Sequence, residues 1–446
     1  MNNKSKIFII GTGVIGFPML VRCSDIKKKN KFIYDVYGYD RDIEKIVLKS
    51  KNGRFPFETN DNQIKKVFKN IYRKKRINFE KSFEKINKSE IIIISVGFDY
   101  ESYENSKKNM IDLINKISSK VKKGTLILIE TTLPPGFCDK IIIPIFKKNI
   151  KRNHLSMKDI FIGYSYERIM PGRAYYKSLI DNDRSFSANS NLSKLKVKKF
   201  LENIVNKNVK LFELDNIIDC ELGKIIENSY RALNIAFIDQ WNKLSLQLGL
   251  NLGKILESIR VRSSHSNIMR SGLGVGGYCL TKDPLFVNKI RYFKNIKKLK
   301  FPLNNLATKI NKDMPKFSAN FVKKKFKRFK NKKILIIGLS YISDFGDTRF
   351  SQGITLSNLL KKNNKITLYD NLIEDYKNNY DLNKKSLFSE FDIVIFNNRN
   401  LQFNKIIKKK WNKKTSYFDV NNFFNLKETI YMKKKDLKFY SNGNYA

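Results

Sequence analysis

The chain has 446 residues, 41% of them hydrophobic, enough apolar material for two to three domains and too long for a single small one. It carries 88 lysines and arginines against 41 acidic residues, a formal charge of +47. On charge alone that points to nucleic acid or an anionic surface. The basic residues, however, run through the whole chain, as at Lys27 to Lys31, Arg73 to Arg76 and Lys323 to Arg328, alongside abundant Asn, Ile, Phe and Tyr. That spread fits A/T-rich codon usage better than a dedicated binding module, so no specific nucleic-acid partner is expected. The four cysteines, Cys23, Cys138, Cys220 and Cys279, make no CxxC pair, and His154 and His265 are the two histidines. A reducing, cytoplasmic compartment and no metal site are expected.

In chain order, Lys6 to Ile10 is a short apolar run followed by glycines, then a helix-like stretch to about Lys29. A strand-like run follows, Phe32 to Tyr39, ending in Asp40. Gly11, Gly13 and Gly16 interrupt the apolar run to Val21, and Arg22 stands where signal processing needs a small residue, so this is a βαβ unit rather than a signal peptide. No segment approaches the roughly 18 uninterrupted apolar residues of a membrane span, so a soluble protein without a membrane partner is expected. Strand-like runs at Ile91 to Val96 and Leu126 to Glu130 continue the alternation, and a first domain is read over 1–200.

From Ile217 to about Ile259 the pattern is helical, with Leu222, Ile225, Ile226, Leu233 and Phe237 mostly at three- and four-residue spacing, a face expected to bury a partner surface. A central helical domain is read over 201–314. After Pro315 and a lysine-rich connector, Lys333 to Gly338 opens a second αβ pattern continued by Lys365 to Asp370, Phe391 to Phe396 and Tyr417 to Val420, giving a third domain over 315–446. The tail from about Tyr431 reads as loosely specified. The fold class is α/β: two Rossmann-like doubly wound parallel-sheet domains joined by a central long-helix domain.

The segment Gly11-Thr12-Gly13-Val14-Ile15-Gly16 follows a strand and opens a helix, where glycine lets the backbone approach a pyrophosphate at the helix N-terminus. Asp40, ending the second strand, can accept hydrogen bonds from a ribose 2'-OH and would repel a 2'-phosphate, which favours NAD over NADP, whereas the neighbouring Arg41 is a feature that would suit a 2'-phosphate. The segment Glu130 to Gly136 follows a strand and lies at the ligand-binding edge of a sheet, or is an ordinary Pro-Gly turn. Lys224 and Asn228 share a helix face, either to steady an alkoxide or oxyanion or as a solvated face. The richest stretch is Gly272 to Pro284, in which the four glycines Gly272, Gly274, Gly276 and Gly277 are read as offering backbone N–H groups to phosphate or oxyanion. Cys279 there sits among glycines, Lys282 and Asp283, the setting of a stabilised, reachable thiolate rather than a packed cysteine, and Asp283 can act on a proton or water.

With these motifs the chain resembles the UDP-glucose/GDP-mannose dehydrogenase family from about Lys6 to about Asn422. The likeness rests on the glycine turn, Thr131 to Gly136, Tyr164 to Arg173, Glu221 to Asn234, Gly274 to Pro284, Ile310 to Pro315 and Gly346-Asp347-Thr348-Arg349. The resemblance implies an NAD-dependent, four-electron oxidation of the C6 alcohol of a nucleotide sugar to the acid. Cys279 would form a thiohemiacetal and then a thioester that water releases. It further implies Lys224 and Asn228 at the alkoxide and oxyanion, Asp283 at the proton of Lys224 or the hydrolytic water, Thr132 and Glu167 at a positioned water, and Arg270 and Arg349 on the UDP-sugar. A homodimer through the central helix and a C-terminal UDP-sugar-binding domain are implied as well. Tyr278, Tyr166 and Phe350 depart from the residues usual at their positions. Glu167 to Arg173 resembles the N-acetylhexosamine branch and Lys282-Asp283 the glucose branch, with the reading leaning to hexosamine. The rival readings are a single-step hydroxyacid dehydrogenase of the β-hydroxyacid type, which would need neither Cys279 nor a third domain, and a basic nucleic-acid-binding protein indifferent to NAD.

Overall fold

The computed structural model describes residues 4–290, 293, 299–383, 388–408 and 411–443. The chain forms two compact units, one of Met1–Phe57, Asp61–Glu227 and Leu285–Lys300, the other of Glu58–Asn60, Asn228–Pro284 and Phe301–Ala446.

The first unit carries β1 (Ser5–Ile10), β2 (Lys27–Lys28), β3 (Lys31–Phe32), β4 (Tyr34–Tyr39), β5 (Ile77–Glu80), β6 (Ile91–Ile94), β7 (Leu126–Ile129), β8 (Phe161–Tyr166), β9 (Arg184–Ala188) and β10 (Leu211–Glu213). All but β2 and β3 join one sheet in the order β10-β9-β8-β7-β6-β1-β4-β5. Neighbours are parallel except β8 and β9, which pair antiparallel. The middle strands are unbroken apolar runs, IIII in β6 and LILI in β7, the composition of strands covered on both faces. Because β1 lies between β4 and β6, the crevice at its carboxyl end is where a doubly wound sheet binds ligands. The first helix, Gly16–Asp25, stops short of the expected Lys29. Lys27 to Phe32 instead form the small β2/β3 hairpin, with Lys29 and Asn30 both at positive φ (46° and 61°) at its tip, as a two-residue hairpin turn requires.

The second unit carries β11 (Lys333–Ile337), β12 (Lys365–Tyr369), β13 (Ile393–Phe396), β14 (Ser416–Asp419) and β15 (Lys438–Ser441), all parallel, in the order β12-β11-β13-β14-β15. The tail is thus not loose. Asn425 and Glu428 form a capping box on helix Leu426–Lys434, β15 completes the sheet, and Phe439 joins the core with Phe396, Trp411 and Phe424. The two Rossmann-like sheets are connected by long helices, as expected.

The helical stretch from Ile217 is two helices, Ile217–Gln247 and Leu252–Arg260. Gly249 at φ +66° ends the first, and Asn251 caps the second by accepting from Lys254 N–H at 3.0 Å. The longer helix is polar inward. Glu221, Lys224, Asn228, Asp239 and Asn242 are buried, whereas Leu222, Ile226, Tyr230, Phe237 and Trp241 are exposed. Of the apolar positions expected to pack together, Ile225 is buried and Leu233 half-buried. Pro315 lies inside helix Pro302–Lys324. Among the described residues, no helix is long and apolar enough to cross a membrane.

Inside the first unit Arg184 donates to Glu130 at 3.0 Å, with side chains 2% and 0% exposed. Burial pushes the Glu130 carboxyl up, and the arginine beside it pulls it back. Removing the arginine strands a buried charge, at a cost of about 3–5 kcal/mol. Arg184→Ala should lower the urea-unfolding free energy by that amount, and a loss below about 1 kcal/mol would show that the pair carries little.

Candidate active site

The glycine turn is shaped by two close approaches. A Cβ on Gly16 would lie 1.9 Å from the Gly11 carbonyl oxygen, and one on Gly11, whose φ is +90°, would lie 2.5 Å from the Ser95 carbonyl oxygen. The turn is fixed by Gly11 N–H donating to the Tyr39 carbonyl at 2.8 Å, beside Asp40, and by the Tyr175 hydroxyl donating to the Val14 carbonyl. Phe17 N–H donates to the Gly13 carbonyl at 2.9 Å, so Val14, Ile15 and Gly16 form the first bend of the helix. A cavity of about 340 Å³ at this edge is lined by Gly11, Gly13, Asp40, Arg41, Ser95 and Gly97 among others. A Cβ on Gly13 would meet nothing within 4 Å, so the turn presents open space where a pyrophosphate approaches the backbone. The residues fit a dinucleotide.

On the same sheet edge, Thr131 Oγ1 donates to the Val96 carbonyl at 3.0 Å and Tyr164 Oη to the Thr131 carbonyl at 2.9 Å, placing half-buried Thr132 next in line. The far end of this turn is gripped by Glu221, which accepts from Gly136 N–H at 2.6 Å and Cys138 N–H at 2.9 Å. Burial pushes the Glu221 carboxyl up to about 7 against the lowering pull of the Cys138 and Gly136 donors. Lys224 Nζ donates to the Glu167 carbonyl at 2.7 Å and stands 3.8 Å from its carboxylate, which also accepts from Ile169 N–H at 2.5 Å. Tyr166 lies under both Lys224 and Arg168, at 5.7 and 5.0 Å from its ring centre, and Arg168 pairs with Glu227 at 3.0 Å. The tyrosine therefore gives two cations an aromatic face.

The second unit assembles a separate group. Asp283 is fully buried, accepting from Asn228 Nδ2 at 2.7 Å and Lys282 Nζ at 2.6 Å. Its N–H donates to the Cys279 carbonyl at 2.9 Å, closing a helical turn that sets thiol and carboxylate on one short loop. Cys279 is the exposed cysteine, whereas Cys23, Cys138 and Cys220 are buried, and burial pushes their thiols well above the usual range. Tyr278 lies under Lys282 and Arg349, at 4.7 and 5.6 Å. The glycines were expected to offer free N–H groups, yet Gly272 N–H is taken by Asp239 at 3.1 Å and Gly277 N–H by the Arg349 carbonyl at 3.2 Å. Gly276 and Gly277 instead pack closely on Tyr341 and Phe350. The Gly346 to Arg349 motif is braced by Gly346 N–H donating to the Glu58 carbonyl at 2.7 Å. Arg349 is held by Asp347, with Nη2 to Oδ2 at 2.6 Å, and Arg270 is exposed.

Thr132, Glu167 and Lys224 thus belong to the first unit. Asn228, Arg270, Gly276, Gly277, Cys279, Asp283 and Arg349 belong to the second. The motif reading passed over the support beneath them: Glu221, Asp239, Arg168 and the asparagines Asn421, Asn422 and Asn442. Their contacts span tens to hundreds of residues, and asparagine is too frequent here to stand out. Gly13→Ala should raise the KM for NAD by about tenfold or more, with Tm changed by less than about 2 °C, since the added Cβ meets no protein. An unchanged KM would remove the turn from dinucleotide binding.

Residues 5–202 match the NAD binding domain of the UDP-glucose/GDP-mannose dehydrogenase family, and residues 219–313 match its central domain. The UDP-N-acetyl-D-mannosamine dehydrogenase of Methanococcus aeolicus is 27% identical over 402 residues, covering 88% of this chain and 84% of its own. The protein of that name from Methanocaldococcus jannaschii is 29% identical over 378 residues, covering 83% and 80%. Among solved structures, the fold is shared with a UDP-glucose dehydrogenase from Pyrobaculum islandicum, at a TM-score of 0.80 and 16% identity over 100% of this chain and 99% of that one. With the dinucleotide turn and the cysteine loop in place, these matches make the chain a member of the UDP-glucose/GDP-mannose dehydrogenase family, an NAD-dependent oxidoreductase acting on a nucleotide sugar.

Proposed function

We propose that the protein oxidises the C6 hydroxymethyl group of a UDP-N-acetylhexosamine to the uronic acid in two successive steps, in the cytoplasm, supplying a precursor for surface polysaccharide. The observation that carries this reading is Cys279, an exposed thiol one helical turn from the buried, doubly hydrogen-bonded carboxylate of Asp283. A single oxidation needs no such nucleophile. Bound NAD supplies the hydride acceptor for each oxidation. Cys279 adds to the aldehyde carbon to give a thiohemiacetal, loss of hydride leaves a thioester, and attack by water releases the carboxylate and returns the thiol. Lys224 and Asn228 steady the developing oxyanion, and Asp283 and Glu167 hold or move protons at Lys224 and at the hydrolytic water, which Thr132 positions. Gly11, Gly13, Val14, Ile15, Gly16 and Asp40 carry the dinucleotide. Arg349, on a C-terminal UDP-sugar-binding domain over 315–446, and Arg270, on the central domain, serve the UDP-sugar, with Gly276 and Gly277 shaping the loop between Arg270 and Cys279. The hexosamine preference is supported by relatives named as UDP-N-acetyl-D-mannosamine dehydrogenases.

With NAD and this substrate, two NADH should form per sugar consumed, read at 340 nm; a ratio of one would point to a single oxidation. Cys279→Ser should halt at or before the aldehyde, and acid formation at the normal rate in that variant would remove the covalent step.

The apolar outer face of helix Ile217–Gln247, with Leu222, Ile226, Tyr230, Phe237 and Trp241 exposed, supports a homodimer formed through it. Trp241→Glu should shift the sedimentation coefficient from dimer to monomer, and a wild type that sediments as a monomer would defeat this assignment.

A further inference from the structure

The loop leading to Cys279 is pinned peptide by peptide within the second unit. Asn422 Nδ2 donates to the Ser271 carbonyl at 2.5 Å. Gly272 is held on both sides, its N–H donating to Asp239 Oδ1 at 3.1 Å and its carbonyl accepting from Asn442 Nδ2 at 3.0 Å. Leu273 N–H donates to Asn421 Oδ1 at 3.0 Å. Gly274 then approaches the Asn311 carbonyl so closely that a Cβ would lie 2.1 Å from that oxygen. This approach is possible because Pro315, four residues further along the helix, has no N–H to give that carbonyl. Gln352 donates to the Val275 carbonyl, and Gly277 N–H to that of Arg349. Nearly every residue from Ser271 to Gly277 has a fixed neighbour, so a shift at Gly272 is carried towards Cys279 instead of being absorbed.

Asn442 is the least expected of these pins. It follows β15 in the terminal segment, is 2% exposed, and uses its whole carboxamide. Nδ2 donates also to the Val420 carbonyl at 3.2 Å, and Oδ1 accepts from Asn242 Nδ2 at 2.6 Å. The contact with Gly272 bridges 170 residues of sequence. Losing a buried partner of this kind leaves carbonyls unsatisfied, and the loop can recover hydrogen bonds only by moving.

We propose that Asn442 is a positioning residue for the oxidation: by locking the Gly272 peptide against Asp239 it sets where the Cys279 thiol stands. Its effect on turnover rests on the reading of Cys279 as the nucleophile, but its effect on the loop does not. The terminal segment is on this account part of the catalytic apparatus of the second unit.

The test uses the full chain as Asn442→Ala and Asn442→Asp. The aspartate keeps an acceptor for Asn242 but cannot donate to the Gly272 and Val420 carbonyls. Both variants should lose about 10- to 100-fold in kcat, as expected for a small misplacement of a reacting group, with the KM for NAD unchanged. Because Cys279 is the exposed cysteine, iodoacetamide labelling reads this loop, and its rate should change by about threefold or more. Wild-type kcat and labelling in both variants would overturn the proposal, as would a loss of Tm with kcat per folded molecule intact. Should neither variant fold, hydrogen exchange on the wild type decides: matched, slow exchange of the Gly272 and Leu273 amides supports the clamp, and rapid exchange refutes it. If Cys279→Ser still forms acid normally, the nucleophile reading fails, while the labelling rates still report whether Asn442 holds the loop.

Discussion

The structure depends on one helix turned polar side inward. Along Ile217–Gln247 the buried charged and amide side chains are Glu221, Lys224, Asn228, Asp239 and Asn242, each exposed by 6% or less and set among buried apolar residues such as Ile225 and Ile238. Burying such groups without partners costs several kcal/mol apiece, so each dictates what must stand opposite it. Glu221 demands two N–H donors and finds them in Gly136 and Cys138, which sets the end of the Thr131 to Gly136 turn. Lys224 demands an acceptor and takes the Glu167 carbonyl. Asn228 reaches Asp283, Asp239 reaches Gly272, and Asn242 reaches Asn442. A leucine at any of these places would satisfy the usual rule for a buried helix face and remove the partner that a loop requires.

The same inversion explains what the apolar residues of this helix do. Leu222, Ile226, Tyr230, Phe237 and Trp241 follow a helical spacing and lie outward. Periodicity distinguishes two faces of a helix but not which of them turns inward, and hydrophobicity usually settles that choice. Here the choice is set by hydrogen-bonding partners that lie far away in sequence. Aromatic side chains are used in a related way at the two tyrosine departures. Tyr166 faces Lys224 and Arg168, and Tyr278 faces Lys282 and Arg349, so each adds an aromatic face to cations that also stand beside carboxylates.

What could be read from the sequence follows from how local each feature is. The placing of the glycine turn beside the end of the second long strand was legible because both lie in one βαβ unit, and the Gly11 to Tyr39 hydrogen bond joins the turn to the residue before Asp40. The exposure of Cys279 was legible from its neighbours, since a packed thiol is seldom set among glycines, a lysine and an aspartate. Gly249 was missed as a helix stop because an isolated glycine in a helical pattern is often tolerated. The tail from Tyr431 was misread because its lysines hide a short strand and because the partners of Asn442 are Gly272, Val420 and Asn242. In a chain rich in asparagine, no composition signal separates the ones that hold a loop from those that face solvent.

The net charge of +47 also becomes intelligible once acids and bases are seen to occupy different places. Lysines pair mostly at exposed positions, as in Lys81 with Glu44 and Lys413 with Asp436, where such contacts contribute little. Several carboxylates instead gather backbone N–H groups at the carboxyl ends of strands. Asp370 after β12 accepts from Leu339 and Ser340 N–H, and Asp419 ending β14 accepts from Asn421, Phe423 and Phe424 N–H. Those loops meet the ligand edge of a parallel sheet, so a carboxylate there orders several amides at once. A lysine substituted at Asp370 or Asp419 would release them, whereas one added to the outer surface disturbs nothing of the kind. Added lysines can therefore load the surface with positive charge without disturbing the acids that order these loops, and the sum of charges describes the surface far better than the chemistry.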